Sequence, residues 1–253
     1  MSISKFSTGK IFYSLAIGLM FSGNAIATSQ NATKLPSQAT ELPAKTTRLA
    51  IDQTNPYIMI KGAAEQTFKR FASEQHAIQQ NPNLLKDIVR EELMPYINYK
   101  YSAFKVIGKH LKKTTDVERR AFVPVFREYL VSSYAQVFTL YDNQAVNFSP
   151  ERSFEGKRIV AVNTSIIMVG RDNIDVAFKV RLNKRTKQWQ AFDMVAEGVS
   201  LLDSKQAELG SIIRQKGLPY VTKLLKRKST RDIIFKNRTT KTESTTVKKE
   251  QQG

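Results

Sequence analysis

Residues 174–197 read IDVAFKVRLNKRTKQWQAFDMVAE, and this stretch decides the fold class. In its first part, apolar residues alternate with the charged residues Asp175 and Lys179, which is the period of a half-buried strand. Residues 188–197 alternate more loosely and predict a second strand. Residues 183–187 lie between them and predict a hairpin turn, so the two strands are expected to be antiparallel neighbours.

Further strands are predicted before this hairpin. Residues 158–169 are apolar on both faces, which predicts a strand that is covered on both sides. Residues 145–148 predict a short edge strand. The second half of the chain therefore begins as a meander of neighbouring strands.

The residues before the strands have a helical pattern. Asn55-Pro56 and Asn81-Pro82 each supply a capping side chain followed by a proline at the first helical position. Residues 99–110 predict a further short helix. All of these segments carry apolar residues at helical spacing, which predicts a helical layer with one buried face.

A long helix is predicted immediately before the strands. Thr115 and Glu118 form a capping box at its start. Pro124 is predicted to break or kink the helix near this end.

Helices return after the strands. Asp203 and Gln206 predict a second capping box, which opens a helix that ends at Gly217. Pro219 starts a final short helix through Leu225. Helices, then a meander, then helices predict an α+β fold.

The N-terminus predicts export. Lys5 and Lys10 precede an apolar run at residues 11–21, and Ala25-Ile26-Ala27 is a small-x-small cleavage pattern. The run is about a dozen residues, shorter than the roughly 18 that a membrane-spanning helix needs. We therefore expect a signal peptide at residues 1–27, cleaved after Ala27, and a periplasmic protein.

The remaining boundaries follow from composition. Residues 28–54 are polar and predict a flexible leader, whereas residues 226–253 predict a basic disordered tail. Residues 55–225 are expected to form a single domain.

Charge and rare residues exclude several classes of function. The net charge is +18, which favours an anionic partner; after export, lipid headgroups and lipopolysaccharide phosphates outrank nucleic acid as that partner. The alternative is that the charge only maintains solubility. The chain has no cysteine and only two histidines, His76 and His110, so thiol chemistry is excluded and a histidine metal site is not expected. No glycine-rich phosphate loop or nucleophile motif is present.

One enzymatic alternative stays open at this point. A carboxylate such as Asp193 or Glu197 would act as a base in an apolar cavity beside Tyr129 or Tyr134, because burial raises a carboxylate pKa. This predicts an isomerase or hydrolase. The competing interpretation is that both carboxylates hydrogen-bond the backbone where strand passes to helix, and we favour it because spacing specifies no partner.

The 14 Phe and 9 Tyr residues are the stronger signal. They lie on faces that would converge between the helices and the sheet. Core packing and a ligand cavity are both compatible with this pattern.

The chain contains WQAFDMVAEGVSL at residues 189–201 and FREYLVSSY at residues 126–134. These motifs resemble the MlaC family of periplasmic phospholipid-binding proteins. NPNLLKDIVREELMPYINYKY at residues 81–101, Gly108, and QAELGSIIRQKGL at residues 206–218 follow the family's order and spacing. Pro124 and the long polar tails depart from the family pattern.

This resemblance implies a helical layer over a four-stranded twisted, mostly antiparallel sheet that encloses an apolar lipid pocket. It implies a non-enzymatic carrier, without cofactor or metal, that binds glycerophospholipid. The implied protein partners are the outer-membrane MlaA complex with a porin and MlaD of the inner-membrane MlaFEDB transporter. Transient contact with anionic membrane surfaces is also implied. The implied role is to maintain outer-membrane lipid asymmetry. Binding of anionic lipid or lipopolysaccharide through the basic tail, without a pocket, is a separate alternative.

Carriage requires a deep pocket, because exposing one acyl chain of about 16 carbons costs on the order of 12 kcal/mol. We expect Trp189 to pack structurally and Gly198 to permit the turn after the last strand. The candidate lining residues come from strand parity and helical spacing. They are Val106, Phe126, Leu130, Tyr134, Phe138, Val160, Val162, Ile166, Val176, Phe178 and Val180.

Overall fold

The strands form one antiparallel sheet in the order β1-β2-β3-β4-β5. The structure is a computed structural model that describes residues 50–235. The strands are β1 Val146–Phe148, β2 Ile159–Ile166, β3 Ile174–Leu182, β4 Trp189–Ala196 and β5 Val199–Ser200. The α+β class and the antiparallel meander predicted from sequence are confirmed.

The sheet has one strand more than the predicted four. The extra strand, β5, pairs with the end of β4 across a loop of Glu197 and Gly198. Both loop residues have positive φ, 50° and 76°, which is the conformation of a tight primed hairpin turn. The predicted role of Gly198 in turning the backbone is therefore confirmed, and that turn also creates the additional strand.

Strand β2 differs from its predicted environment. Along it, buried and exposed residues alternate, and Ile159 is 52% exposed. The prediction that both faces are covered is wrong, because the helix at Pro56–Ser73 packs against one face only.

Within the described residues, six helices and three short helical turns complete the fold. The helices are α1 Pro56–Ser73, α2 Gln75–Gln80, α3 Leu84–Ile88, α4 Tyr99–Ile107, α5 Asp116–Phe138 and α6 Leu201–Ser229. A π-helical turn at Val89–Leu93 and a 3₁₀ turn at Met94–Tyr96 follow α3, and a 3₁₀ turn at Gly108–Lys113 follows α4. Within residues 50–235, no helix is long and apolar enough to cross a membrane.

Local capping explains where the early helices begin. The Asn55 side chain accepts hydrogen bonds from the N–H groups of Tyr57 and Ile58, at 2.8 and 3.2 Å, as predicted. Asn81 accepts from the N–H of Asn83 at 3.2 Å, but α3 begins only at Leu84, later than predicted.

The capping box of α5 is confirmed, since Thr115 and Glu118 each accept a hydrogen bond from the other's backbone N–H. The helix is not broken at Pro124, contrary to one form of the prediction. Pro124 and Arg120 are both exposed, so water can satisfy the Arg120 carbonyl that lacks a donor.

Helix α6 is capped by Ser200, whose hydroxyl accepts from the N–H of Asp203 at 3.0 Å. The predicted cap, Asp203, is therefore wrong, because the helix begins directly after β5. The interruption at Gly217 is confirmed by its non-helical φ of 79° and ψ of 166°. Beyond it the helix continues to Ser229, past the predicted end at Leu225.

The domain boundaries also move at both ends. Ile233 is 4% exposed, and Ser132 donates to the Ser229 carbonyl at 2.6 Å, so residues 226–235 are folded, against the prediction of disorder. The N–H of Trp189 donates to the Gln53 carbonyl at 2.7 Å, which fixes the end of the predicted leader. The predicted signal peptide, residues 28–49 and residues 236–253 lie outside the described residues.

A glycine comparison within α6 tests this backbone. Gly217→Ala should lower the free energy of unfolding by about 1–3 kcal/mol, because φ near 79° with ψ near 166° is accessible essentially only to glycine. Gly210→Ala is the matched control: its added methyl group would lie 3.9 Å from His110, and it should raise stability by up to about 1 kcal/mol. Equal effects in chemical denaturation would contradict the assigned interruption.

Candidate functional site

The predicted strand residues lie on one face of the sheet. The register places Val160 opposite Val180, Val162 opposite Phe178, and Ile166 opposite Ile174. Directly opposite residues share a face, so the face assignment by strand parity is confirmed. Val176 belongs to the same face, opposite Thr164.

Part of this face is solid core. Val160, Val162 and Val180 are 8%, 1% and 0% exposed, and they pack with Met59 and Ile60 of α1. In this structure they are covered by a helix. Trp189 packs in the same cluster at 2% exposure, as the predicted structural role requires.

Two of the predicted helix residues are also solid core. Val106 of α4 and Phe126 of α5 are 0% and 1% exposed, in a cluster completed by Leu209 and Val221 of α6. This cluster holds the helical layer together. The predicted residues are therefore distributed over separate packed clusters and do not form a single lining.

The remaining predicted residues keep accessible surface. On α5, Leu130, Tyr134 and Phe138 form a row with a spacing of four residues, and all are half-buried, whereas Val131 and Ala135 beside them are 0% exposed. The row therefore faces a less tightly packed region than the adjoining side of the same helix. Ile166 and Phe178 on the sheet are half-buried as well.

Tyr134 shows how deep this row lies. Burial raises the pKa of Tyr134 to about 12, and the nearby Asp193 carboxylate contributes to the same shift. Asp193 lies opposite Lys179 in the sheet, on the other face from Met194 and Phe178. Tyr134 therefore lies near the face of β3 and β4 that carries Lys179 and Asp193.

An open groove of about 840 Å³ lies beside this region, between α1, β1 and the segment that joins α5 to β1. None of the predicted lining residues borders it. Phe68 and Tyr141, stacked with ring centroids 4.6 Å apart, form its aromatic wall. Phe71 contacts Phe138 at 4.8 Å and also packs on Tyr141, so the aromatic cluster connects this wall to the α5 row.

Sequence reasoning assigned Phe68 and Tyr141 only to helix faces and did not identify this groove. The available signal was the concentration of aromatic residues near the C-terminal ends of α1 and α5. The groove is lined by Lys61, Glu65, Phe68, Tyr141, Asn143, Gln144, Ala145, Val146, Asn147 and Phe148.

A second groove, of about 420 Å³, lies between α6 and the end of α4. Val106 is the only predicted residue among those that line it. Gly108, with φ of 53°, lies beneath Gln206, and an added Cβ would be 2.2 Å from the Gln206 amide nitrogen. The backbone conformation, φ 53° with ψ −127°, is the reason that this position favours glycine, since the Gln206 side chain can move. The lining is Val106, Ile107, Lys109, His110, Asp203, Gln206, Ala207, Gly210, Ser211 and Arg214.

The carboxylates of the enzymatic alternative are engaged in structural bonds. Asp193 accepts from the Ser200 hydroxyl at 2.8 Å and the Leu202 N–H at 3.0 Å, and it pairs with Lys179 at 3.0 Å. Glu197 is exposed and accepts from the Asp175 N–H at 2.7 Å. The backbone-bonding interpretation is confirmed for both carboxylates.

Tyr129 does not complete a catalytic pair with them; it is 8% exposed and lies below the ammonium group of Lys205, which is 5.9 Å from its ring. Across residues 50–235, no group of three or more His, Cys, Asp or Glu residues is placed to hold a metal ion.

Fold and site together define an α+β protein in which a helical layer and an antiparallel sheet enclose half-buried apolar side chains. The chain belongs to the MlaC family, since the family described as MlaC protein matches residues 61–227. The family resemblance found in the sequence is thereby confirmed.

Relatives and solved structures agree with this assignment. The chain is 32% identical over 187 residues to the intermembrane phospholipid transport system binding protein MlaC of Haemophilus influenzae, covering 74% of this chain and 87% of that protein. Toluene tolerance protein ttg2D of Pseudomonas putida is 18% identical over 154 residues, covering 60% of this chain and 70% of that protein. A phospholipid-binding protein from Ralstonia solanacearum, solved in complex with a phospholipid, has the same fold, with a TM-score of 0.61 and 16% identity over 69% of this chain and 97% of that chain.

Replacing Asp193 tests its structural role. Asp193→Ala should lower the free energy of unfolding by about 2–3 kcal/mol, because the hydroxyl and N–H groups that it accepts from lose a charged partner. Glu197→Gln, which keeps an acceptor at an exposed position, should change it by less than about 1 kcal/mol. Equal stability of the two variants in urea would contradict the assignment.

Alkaline titration tests the depth of the α5 row. The raised pKa favours the neutral phenol in the folded state, so its contribution to stability is complete below about pH 10 and is lost as the pH rises towards 12. The ultraviolet absorbance of phenolate should therefore show a late component near pH 12 that Tyr134→Phe removes. Urea-unfolded protein is the control and should titrate without this component. A late component that persists in Tyr134→Phe would contradict the burial of this hydroxyl.

Proposed function

We propose that this protein is a periplasmic phospholipid carrier that holds acyl tails between α5 and the sheet. The observation that carries the proposal is the half-buried row of Leu130, Tyr134 and Phe138 in a chain of the MlaC family. The phospholipid-bound structure with the same fold, and the name of the Haemophilus influenzae relative, support phospholipid as the ligand.

The energetics of acyl chains explain why such a row is useful. Exposing one chain of about 16 carbons to water costs on the order of 12 kcal/mol, so a carrier must cover nearly all of it. A fully packed core offers no surface for this purpose. Half-buried apolar side chains keep some surface for a tail, although Phe138 would first have to move from its contact with Phe71.

The groove beside β1 supplies a route to this row in the proposal. Its volume of about 840 Å³ lies within the usual range for ligand pockets, roughly 300–1,000 Å³. Tails that enter there meet the aromatic cluster of Phe68, Phe71, Phe138 and Tyr141. Displacement of these rings would join the groove to the α5 row, while the polar headgroup stays in solvent.

The wider assignment follows from the family. In the proposal the carrier shuttles glycerophospholipid between the outer-membrane MlaA complex and MlaD of the inner-membrane MlaFEDB transporter, and so maintains outer-membrane lipid asymmetry. The signal peptide at residues 1–27 supplies export to the periplasm. The protein is not an enzyme in this account, because Asp193 and Glu197 have structural bonds and the relatives are named for lipid binding and transport.

Filling the space beside α5 tests the proposal. Leu130→Trp should reduce co-purified phospholipid at least about tenfold in native mass spectrometry, because a bulky ring occupies the surface assigned to a tail. Val137→Trp is the matched control on the same helix; Val137 is 46% exposed and should retain wild-type occupancy. Lipid-free wild-type protein, or equal occupancy in both variants with folding intact by circular dichroism, would contradict the proposal.

A further inference from the structure

A cluster of cations lies at the end of the sheet where β3 and β4 are joined. The turn carries Lys184, Arg185 and Lys187, all exposed. The Leu182 N–H donates to the Arg158 carbonyl at 3.0 Å, which places Arg158 at the base of the same turn. We call this the basic hairpin surface; it comprises Lys157, Arg158, Arg181, Lys184, Arg185 and Lys187.

The charges of this surface are not neutralised within the protein. Among residues 50–235, none of its cations forms an ion pair within 4.0 Å. Arg181 instead stacks on the Tyr101 ring at 4.0 Å, which holds its guanidinium at the surface. Glu155 is close in sequence to Lys157, but the six cations outnumber it, so positive charge dominates this surface.

The turn is held in a defined shape. Asn183 and Gln188 are joined by a backbone hydrogen bond of 2.8 Å, and the Asn183 side chain accepts from the N–H of Arg185 at 3.0 Å. The cations therefore project from the sheet on a fixed scaffold, and their presentation does not depend on binding.

The opposite end of the sheet carries carboxylates. Asp172 and Asp175 lie at the start of β3, and Glu197 follows β4; all three are exposed, and they outnumber the exposed Arg171 in the same region. A charge separation of this kind orients a molecule in an external field, so the basic hairpin surface would face an anionic surface first.

The shape of the surface favours a bilayer over a small anion or a protein. None of its cations borders either groove described above, so they do not converge on one phosphate. Protein interfaces depend on apolar anchors that fill pockets. Here the exposed apolar residue is Ile159, 52% exposed beside Arg158 and paired with Arg181, which suits shallow contact with headgroups.

We infer that the basic hairpin surface docks the protein on anionic phospholipid bilayers. The contact is electrostatic and does not require a lipid in the interior. It is distinct from the sequence-based alternative in which the basic tail binds membranes.

Vesicle binding with matched variants tests the inference on the full chain. The hairpin variant replaces three cations of the turn by glutamine: Lys184→Gln, Arg185→Gln and Lys187→Gln. One control variant removes tail charges, with Lys241→Gln, Lys248→Gln and Lys249→Gln. The other control variant removes charges between α4 and α5, with Lys109→Gln, Lys112→Gln and Lys113→Gln. Each variant loses three positive charges. The probes are phosphatidylglycerol–phosphatidylethanolamine vesicles and phosphatidylcholine vesicles, compared by co-sedimentation.

Wild-type protein should bind the anionic vesicles and lose binding in high salt, which screens surface charge. The hairpin variant should bind about 100-fold more weakly, and the two control variants less than about threefold more weakly. An equal or larger loss in either control variant, an unchanged hairpin variant, or equal binding to phosphatidylcholine would overturn the inference. Absence of anionic-vesicle binding would overturn it too, in favour of an acidic protein as partner. Native mass spectrometry should find wild-type lipid occupancy in the hairpin variant, which separates this test from that of carriage.

Discussion

The Asp193 carboxylate is the interaction on which the relation between sheet and helices depends. It lies on β4, pairs with Lys179 of β3, and accepts hydrogen bonds from Ser200 of β5 and from the Leu202 N–H in the first turn of α6. A helix N-terminus favours negative charge, so this junction fixes α6 against the end of the sheet. Helix α6 in turn packs on α4 and α5, and Tyr134 of the α5 row lies near Asp193 itself.

The interior formed in this way is unevenly packed. One part of the sheet is covered by α1, and the core of the helical layer is solid, with Val106 and Phe126 almost completely buried. Leu130, Tyr134 and Phe138 pack against the cluster that contains Phe71 and Ile88, yet they keep accessible surface, and burial shifts the pKa of Tyr134. In the proposed account, the fully buried residues stabilise the fold and these half-buried residues bind the ligand.

Features that depend on local chemistry were predictable from the sequence. The strand period, the Asn55 cap and the Thr115 capping box need only neighbouring residues, and the structure has all of them. Features that depend on contacts between distant residues were not predictable from the sequence. Strand β5 requires Glu197 to adopt positive φ, which is uncommon for this residue type, and the folded segment after Leu225 depends on burial of Ile233 against other helices. Strand parity likewise identified one face correctly but could not show which part of it a helix covers.

The central claim is that acyl tails lie between the α5 row and the sheet. An experimental structure of the protein isolated with its co-purified lipid tests it most directly. The account predicts tail density against Leu130, Tyr134 and Phe138, with the headgroup in solvent. Closed packing of these side chains against the sheet, with lipid absent or bound only at the outer surface, would contradict it.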